Sequence, residues 1–104
     1  MILEVETLCP ARGVADRIAA HLLEARLIAC ANRSRTVVSL YRWEGEVRAE
    51  EEYSLRVKTR IELADAVEAA IVELHPYELP AVLRHEVQAN AGYEAWVLAE
   101  TREA

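Results

Sequence analysis

The sequence predicts an α+β fold: two β-α-β units in series, an overlong hairpin joining their central strands, and a short C-terminal helix. Three observations carry this. The hydrophobic period switches from strand-like to helical twice along the chain. Glu44-Gly45 stands as a two-residue turn between two long alternating runs, with Gly where a positive φ is needed. Pro10 and Pro76 end the first strand and the second helix, because proline donates no backbone N–H.

The elements follow in order. Ile2, Leu3, Val5 and Leu8 make a first strand that Pro10 stops. From Ala11 to Arg26 the apolar positions fall at helical steps, Val14, Ile18 and Leu22 with Ala15, Ala19 and Leu23 beside them. Asp16, Arg17, His21 and Glu24 take the other face. Leu27 to Trp43 reads as the second strand, with Val37, Ser39, Tyr41 and Trp43 on one face and Val38, Leu40 and Arg42 on the other. Glu46 to Lys58 is the third. Val47, Ala49, Tyr53, Leu55 and Val57 face one way; Arg48, Glu50, Glu52, Arg56 and Lys58 face the other; Glu51 interrupts the apolar side. Thr59-Arg60-Ile61-Glu62 reads as a capping box opening a helix with Leu63, Val67, Ala70, Ile71 and Leu74 on one stripe. An extended link, Tyr77 to Pro80, leads to a fourth strand from Ala81 to Val87. Gln88 to Gly92 is a turn, and Tyr93, Trp96 and Val97 mark the last helix. Two β-α-β units sharing one antiparallel sheet, with both helices on one face, form a ferredoxin-like sandwich. The 104 residues suit a single domain, 1–104.

The two central strands far exceed the usual ~5–6 residues. A small domain cannot cover such a hairpin with two helices. Its outer part must meet a neighbour, most simply another copy of the chain, or stay open to edge pairing. There is no Phe among the aromatics. Tyr41, Trp43, Tyr53, Tyr77, Tyr93 and Trp96 all carry polar tips, which suits interfaces and half-wet clefts as well as core.

Composition excludes several classes. Hydrophobic residues at 53% against 29% charged mark a globular chain, not a disordered one. No apolar run has the roughly 18 residues of a membrane helix, and the N-terminus lacks the pattern of an export signal, so a cytoplasmic location is expected. A formal charge of −6 disfavours nucleic acid, which needs a concentrated basic face. Cys9 and Cys30 form no C-x-x-C pair and are expected reduced. Neither a glycine-rich phosphate loop nor a Gly-x-Ser-x-Gly elbow is present, so nothing marks an enzyme. His75, Glu78, His85, Cys9 and Cys30 are the available metal donors. Each has a plain reading too: His75 as a hydrogen-bonded helix-end residue, the cysteines as small buried hydrophobes.

Five stretches bring in a family. Ala29-Cys30-Ala31-Asn32, Ser39-Leu40-Tyr41-Arg42-Trp43-Glu44-Gly45, Lys58-Thr59-Arg60, His75-Pro76-Tyr77-Glu78-Leu79-Pro80 and Tyr93-Glu94-Ala95-Trp96 occur in order, and with them the chain resembles the CutA divalent-ion tolerance family from residue 2 to residue 98. The resemblance implies a ferredoxin-like subunit in a tight homotrimer, with strands crossing between subunits. It implies tolerance of copper and other divalent ions, copper or another divalent cation as ligand, and no enzymatic activity. Carried over by position, the metal donors are His75, Glu78 and Cys30; the ligand cleft between subunits takes Tyr41, Trp43, Lys58 and Tyr77; the trimer interface takes Tyr41, Trp43, Tyr93 and Trp96. Cys9-Pro10 matches the family's Cys-Pro after the first strand.

The chain departs from the pattern at several points. Ala31 replaces Val. Arg33-Ser34-Arg35-Thr36 stands where the family has an apolar pair and Pro-Gly, which puts the bulge of the second strand in question. Ala81 replaces a carboxylate, His85-Glu86 replaces Leu-Pro, and Leu74 stands where some members have a second His before the His-Pro pair. Other readings of the same residues are a small-molecule sensor holding an anion with Lys58, Arg42 and Tyr77, and a ligand-free trimer that binds a protein partner.

Overall fold

The computed structural model describes residues 1–104. The order is β1 (Ile2–Cys9), α1 (Arg12–Glu24), β2 (Cys30–Trp43), β3 (Glu46–Thr59), a 3₁₀ turn (Ile61–Leu63), α2 (Ala64–Leu74), β4 (Val82–Val87) and α3 (Ala91–Glu100). The strands form one sheet in the order β2-β3-β1-β4, and every neighbouring pair is antiparallel. This is the ferredoxin-like arrangement expected from the sequence.

Alternation along β1 sorts its side chains into two sets. Leu3, Val5 and Cys9 face α1 and α2 and join Ala15, Ile18, Leu22, Leu55, Val57, Leu63, Val67 and Ile71 in the main core. Glu4, Glu6 and Leu8 point to the opposite face, where they are half-buried. Ile2 on that face packs with Ala29 and Val97, so α3 covers one end of it. Arg60 fastens α3: its guanidinium donates to Thr101 Oγ1 at 2.9 Å, to the Thr101 carbonyl at 2.9 Å and to the Leu98 carbonyl.

Element ends differ from the sequence reading for local reasons. Helix α1 stops at Glu24 because Arg26 adopts φ 57, a left-handed residue. Its N–H bonds the Leu23 carbonyl and the Leu27 N–H bonds the Leu22 carbonyl, which is a Schellman closure. Leu27 is thereby spent on the helix end, and β2 starts at Cys30. The capping box is a correction. Thr59 ends β3, fully buried, and its hydroxyl donates to the Leu27 carbonyl at 2.6 Å. Arg60 takes the N-cap position of the 3₁₀ turn without any side-chain cap bond.

The hairpin is the largest departure from a closed shape. β1 pairs with β3 only from Tyr53 to Thr59. Beyond it, Glu46–Glu52 pair with β2 alone. That leaves a two-stranded ribbon of roughly 20 Å at ~3.3 Å per residue. The principal extents are 45 × 24 × 22 Å. The radius of gyration, 14.2 Å, exceeds the about 13 Å of a compact chain of this length. Both turn residues, Glu44 at φ 50 and Gly45 at φ 81, lie in the left-handed region, which matches the twist of the ribbon.

Candidate functional site

A bulge decides which residues the ribbon presents. Arg33 pairs with Leu55, yet Thr36 pairs with Tyr53, so β2 advances one residue more than β3. A single extra residue flips every later side chain to the other face. Tyr41 and Trp43 thereby share a face with Arg48, Glu50 and Glu52. Ser34 holds the bulge: its Oγ donates to the Arg35 carbonyl at 2.7 Å and accepts the Ser54 N–H at 3.0 Å. The bulge that the Arg33–Thr36 sequence put in question is present, built here on a serine hydroxyl.

Between the root of the ribbon and the link that follows α2 lies a cleft of about 470 Å³. Tyr41, Trp43 and Arg48 line it from the hairpin, Leu8 and Glu52 from the sheet, and Tyr77, Glu78 and Leu79 from the link. Glu52 is 5% exposed and accepts a hydrogen bond from the Tyr77 hydroxyl at 2.7 Å. Tyr41 donates in the same way to Glu50 at 3.1 Å. Burial first, and then the bond to Glu52, push the Tyr77 phenol well above the usual tyrosine range. Tyr41 is raised too, by desolvation and then by Glu50. Below the cleft, burial followed by the charge of Glu52 pushes the Cys9 thiol up to about 11. Cys9 is fully buried and behaves as a small hydrophobe.

His75 orders the link. A backbone N–H can only donate, so the bond from Tyr77 N at 3.2 Å makes His75 Nδ1 the acceptor. Nε2 then carries the proton and donates to the Leu8 carbonyl at 2.7 Å. The ring also packs on Tyr77, with centroids 4.7 Å apart. As placed, His75 offers no spare lone pair to a metal ion. Glu78 is exposed on the rim of the cleft.

Three of the residues expected here lie elsewhere. Lys58 pairs with Glu4 at 3.5 Å and donates to Asn32 Oδ1. Glu4 and Leu8 are about 13 Å apart along β1 at ~3.3 Å per residue, so Lys58 is at the far end of the sheet from the cleft. Cys30 sits beside Lys58 in register, and its sulfur meets the Tyr93 hydroxyl at 3.0 Å. That bond, then burial, raises the Tyr93 phenol to about 12. Arg42 lies on the opposite ribbon face from Tyr41 and Trp43. His75, Glu78 and Cys30 are therefore not gathered within one chain, and no group of three His, Cys, Asp or Glu side chains is placed to hold a metal ion. Tyr93 stacks obliquely on Trp96, which is 43% exposed.

The sequence reading missed Glu52 and Ser34. Glu52 falls in the Glu50-Glu51-Glu52 run, which reads as a solvated edge or an inter-subunit salt bridge, while in the fold Tyr77 packs onto it and it is 5% exposed.

Sheet order, two helices on one face and a long hairpin with a cleft at its root define a ferredoxin-like α+β protein whose hairpin extends past its own sheet. Residues 3–100 match the model of the CutA1 divalent ion tolerance protein family, and the chain belongs to that family. It is 38% identical over 99 residues to the divalent-cation tolerance protein CutA of Pyrococcus horikoshii, covering 94% of this chain and 96% of that one. The mouse protein CutA is 36% identical over 90 residues, 86% of this chain; the chain spans about half, 51%, of that relative's length. Among solved structures, CutA1 of Oryza sativa superposes with a TM-score of 0.95 at 31% identity, covering 99% of this chain and 95% of that one. CutA1 of Ehrlichia chaffeensis gives 0.93 at 34% identity, covering 98% and 96%. No helix is long and apolar enough to cross a membrane.

Proposed function

We propose that this chain is a homotrimeric protein of divalent-cation tolerance, copper included, that binds metal ions in the cytoplasm. The uncovered ribbon carries the trimer. Val38, Leu40 and Val47 are 66%, 75% and 67% exposed on it. A two-stranded ribbon is marginal in water by itself, and an apolar one invites pairing. Three copies related by a closed rotation would each cover another's ribbon, with Tyr41, Trp43, Tyr93 and Trp96 turned toward neighbours. Two unbridged cysteines suit a reducing compartment. Family membership supports the role in ion tolerance.

Among the proposed donors, Glu78 is solvent-facing at the cleft, Cys30 shares its sulfur with Tyr93, and His75 must release a hydrogen bond first. Coordination on this reading draws donors from more than one copy. Calorimetric titration of metal-free protein with copper(II), beside Glu78→Gln, Cys30→Ser and His75→Ala, tests it. Binding that weakens in Glu78→Gln or Cys30→Ser supports the assignment; no binding by the wild type overturns it.

The cleft favours a second reading: a ligand-sensing trimer. Its volume, about 470 Å³, lies in the range of small-molecule sites, and its lining mixes aromatic and apolar walls with few polar groups.

A further inference from the structure

We infer that the cleft takes a small organic cation, with a primary ammonium seated on Glu52 and an apolar body lying among Tyr41, Trp43 and Tyr77. This rests on the second reading above, that the cleft is a ligand site.

Glu52 is the single carboxylate among the buried side chains. The ion pairs of the chain engage Glu4, Glu6, Asp16, Asp65, Glu68, Glu94 and Glu100, never Glu52. Its partner is the neutral hydroxyl of Tyr77, which donates one hydrogen bond and brings no charge. A carboxylate taken out of water is normally paired. The one cation of the lining, Arg48, does not supply that pair. It is exposed and sits four residues further out on β3, about 13 Å along the strand. The deep end of the cleft is therefore negative, and Glu78 adds a second carboxylate at the rim.

The rest of the wall chooses between kinds of cation. A metal ion takes several oxygen, nitrogen or sulfur donors, and within one chain the depth of the cleft offers one carboxylate. A primary ammonium needs a carboxylate acceptor for one N–H and gains further from aromatic side chains. Leu8 and Leu79 leave room for an apolar body. Lys58 and Arg42, the cations on which the alternative anion reading rests, stand away from this cleft within one chain.

The probes are tryptamine and indole-3-propionate, one ring system with opposite charges. Each is titrated by calorimetry into the protein as purified, and the mass in solution is measured on the same sample. Tryptamine is expected to bind at least about tenfold tighter than the acid. Glu52→Gln is expected to erase that preference, and Trp43→Ala, on the half-exposed hairpin, to weaken tryptamine without touching the core. Equal binding of the two probes, no binding of tryptamine, or an unchanged preference in Glu52→Gln overturns the inference. Should Glu52→Gln fail to fold, the wild-type preference and the Trp43→Ala result decide. A trimer that ignores tryptamine sinks this inference alone; a monomer that binds it sinks the trimer reading alone.

Discussion

Two threonines one residue type apart from valine should respond to the same substitution with opposite signs. Thr7 and Thr59 are both essentially buried, at 1% and 0% exposure, on the helix-covered face of adjacent strands. The Thr7 hydroxyl has no hydrogen-bond partner. The Thr59 hydroxyl donates to the Leu27 carbonyl at 2.6 Å. An unpartnered buried hydroxyl costs about 1–3 kcal/mol, so Thr7→Val, which swaps it for a methyl, should stabilise by about 1–2 kcal/mol. Thr59→Val loses a net bond of about 1 kcal/mol and leaves the Leu27 carbonyl without that donor, for a loss of about 1–2 kcal/mol. At about 4–8 °C per kcal/mol for a domain near this size, the melting temperatures should separate by about 10 °C or more. Urea or thermal unfolding followed by circular dichroism reads the difference. If both variants fall by similar amounts, the assignment of one satisfied and one orphaned hydroxyl is wrong.

Other outcomes follow from the same geometry. Ser34→Ala removes the acceptor of the Ser54 N–H at the bulge and should cost about 1 kcal/mol, with near-ultraviolet dichroism of Tyr41 and Trp43 changing as the ribbon loosens. Arg26→Gly relieves a left-handed φ of 57 and should raise stability by about 1 kcal/mol; the exposed pair with Glu100 at 3.5 Å that it gives up is worth little. Stability should fall as pH climbs from about 9 toward about 11. The buried Cys9 thiol keeps its proton in the folded chain after the unfolded chain has lost it, so its contribution is complete below the unfolded value and fades through the folded one. Cys9→Ala should lessen that slope in urea midpoints taken across the range, the raised Tyr77 and Tyr93 phenols carrying what remains at its upper end.

Much of the fold was legible because period and punctuation agree along the chain. Alternation in 46–58 placed Leu55 and Val57 inward, and the four-residue steps of Val14, Ile18 and Leu22 placed α1 on the sheet. The errors arose where a local motif competed with a tertiary bond. Thr59 has the spacing of an N-cap, yet a buried carbonyl at Leu27 claims its hydroxyl. Leu27 has strand character, yet the closure of α1 claims its N–H. At the site, Tyr41, Trp43, Tyr77 and Glu78 line one cleft of the chain, while Lys58 and Cys30 lie at the other end of the sheet. Glu52 could not be read, because its burial depends on a link 25 residues away folding onto it.

The most direct test of the central claim is the mass of the protein in solution, measured by light scattering over a range of concentrations beside a Val38→Glu/Leu40→Glu variant. Both positions are exposed on the ribbon and outside the core, so the variant keeps its fold. The account expects about 35 kDa for the wild type, three times the 11.7 kDa of one chain, and a shift toward the single-chain mass in the variant. A wild type that stays at 11.7 kDa throughout, or a variant that keeps the full assembly, would contradict it.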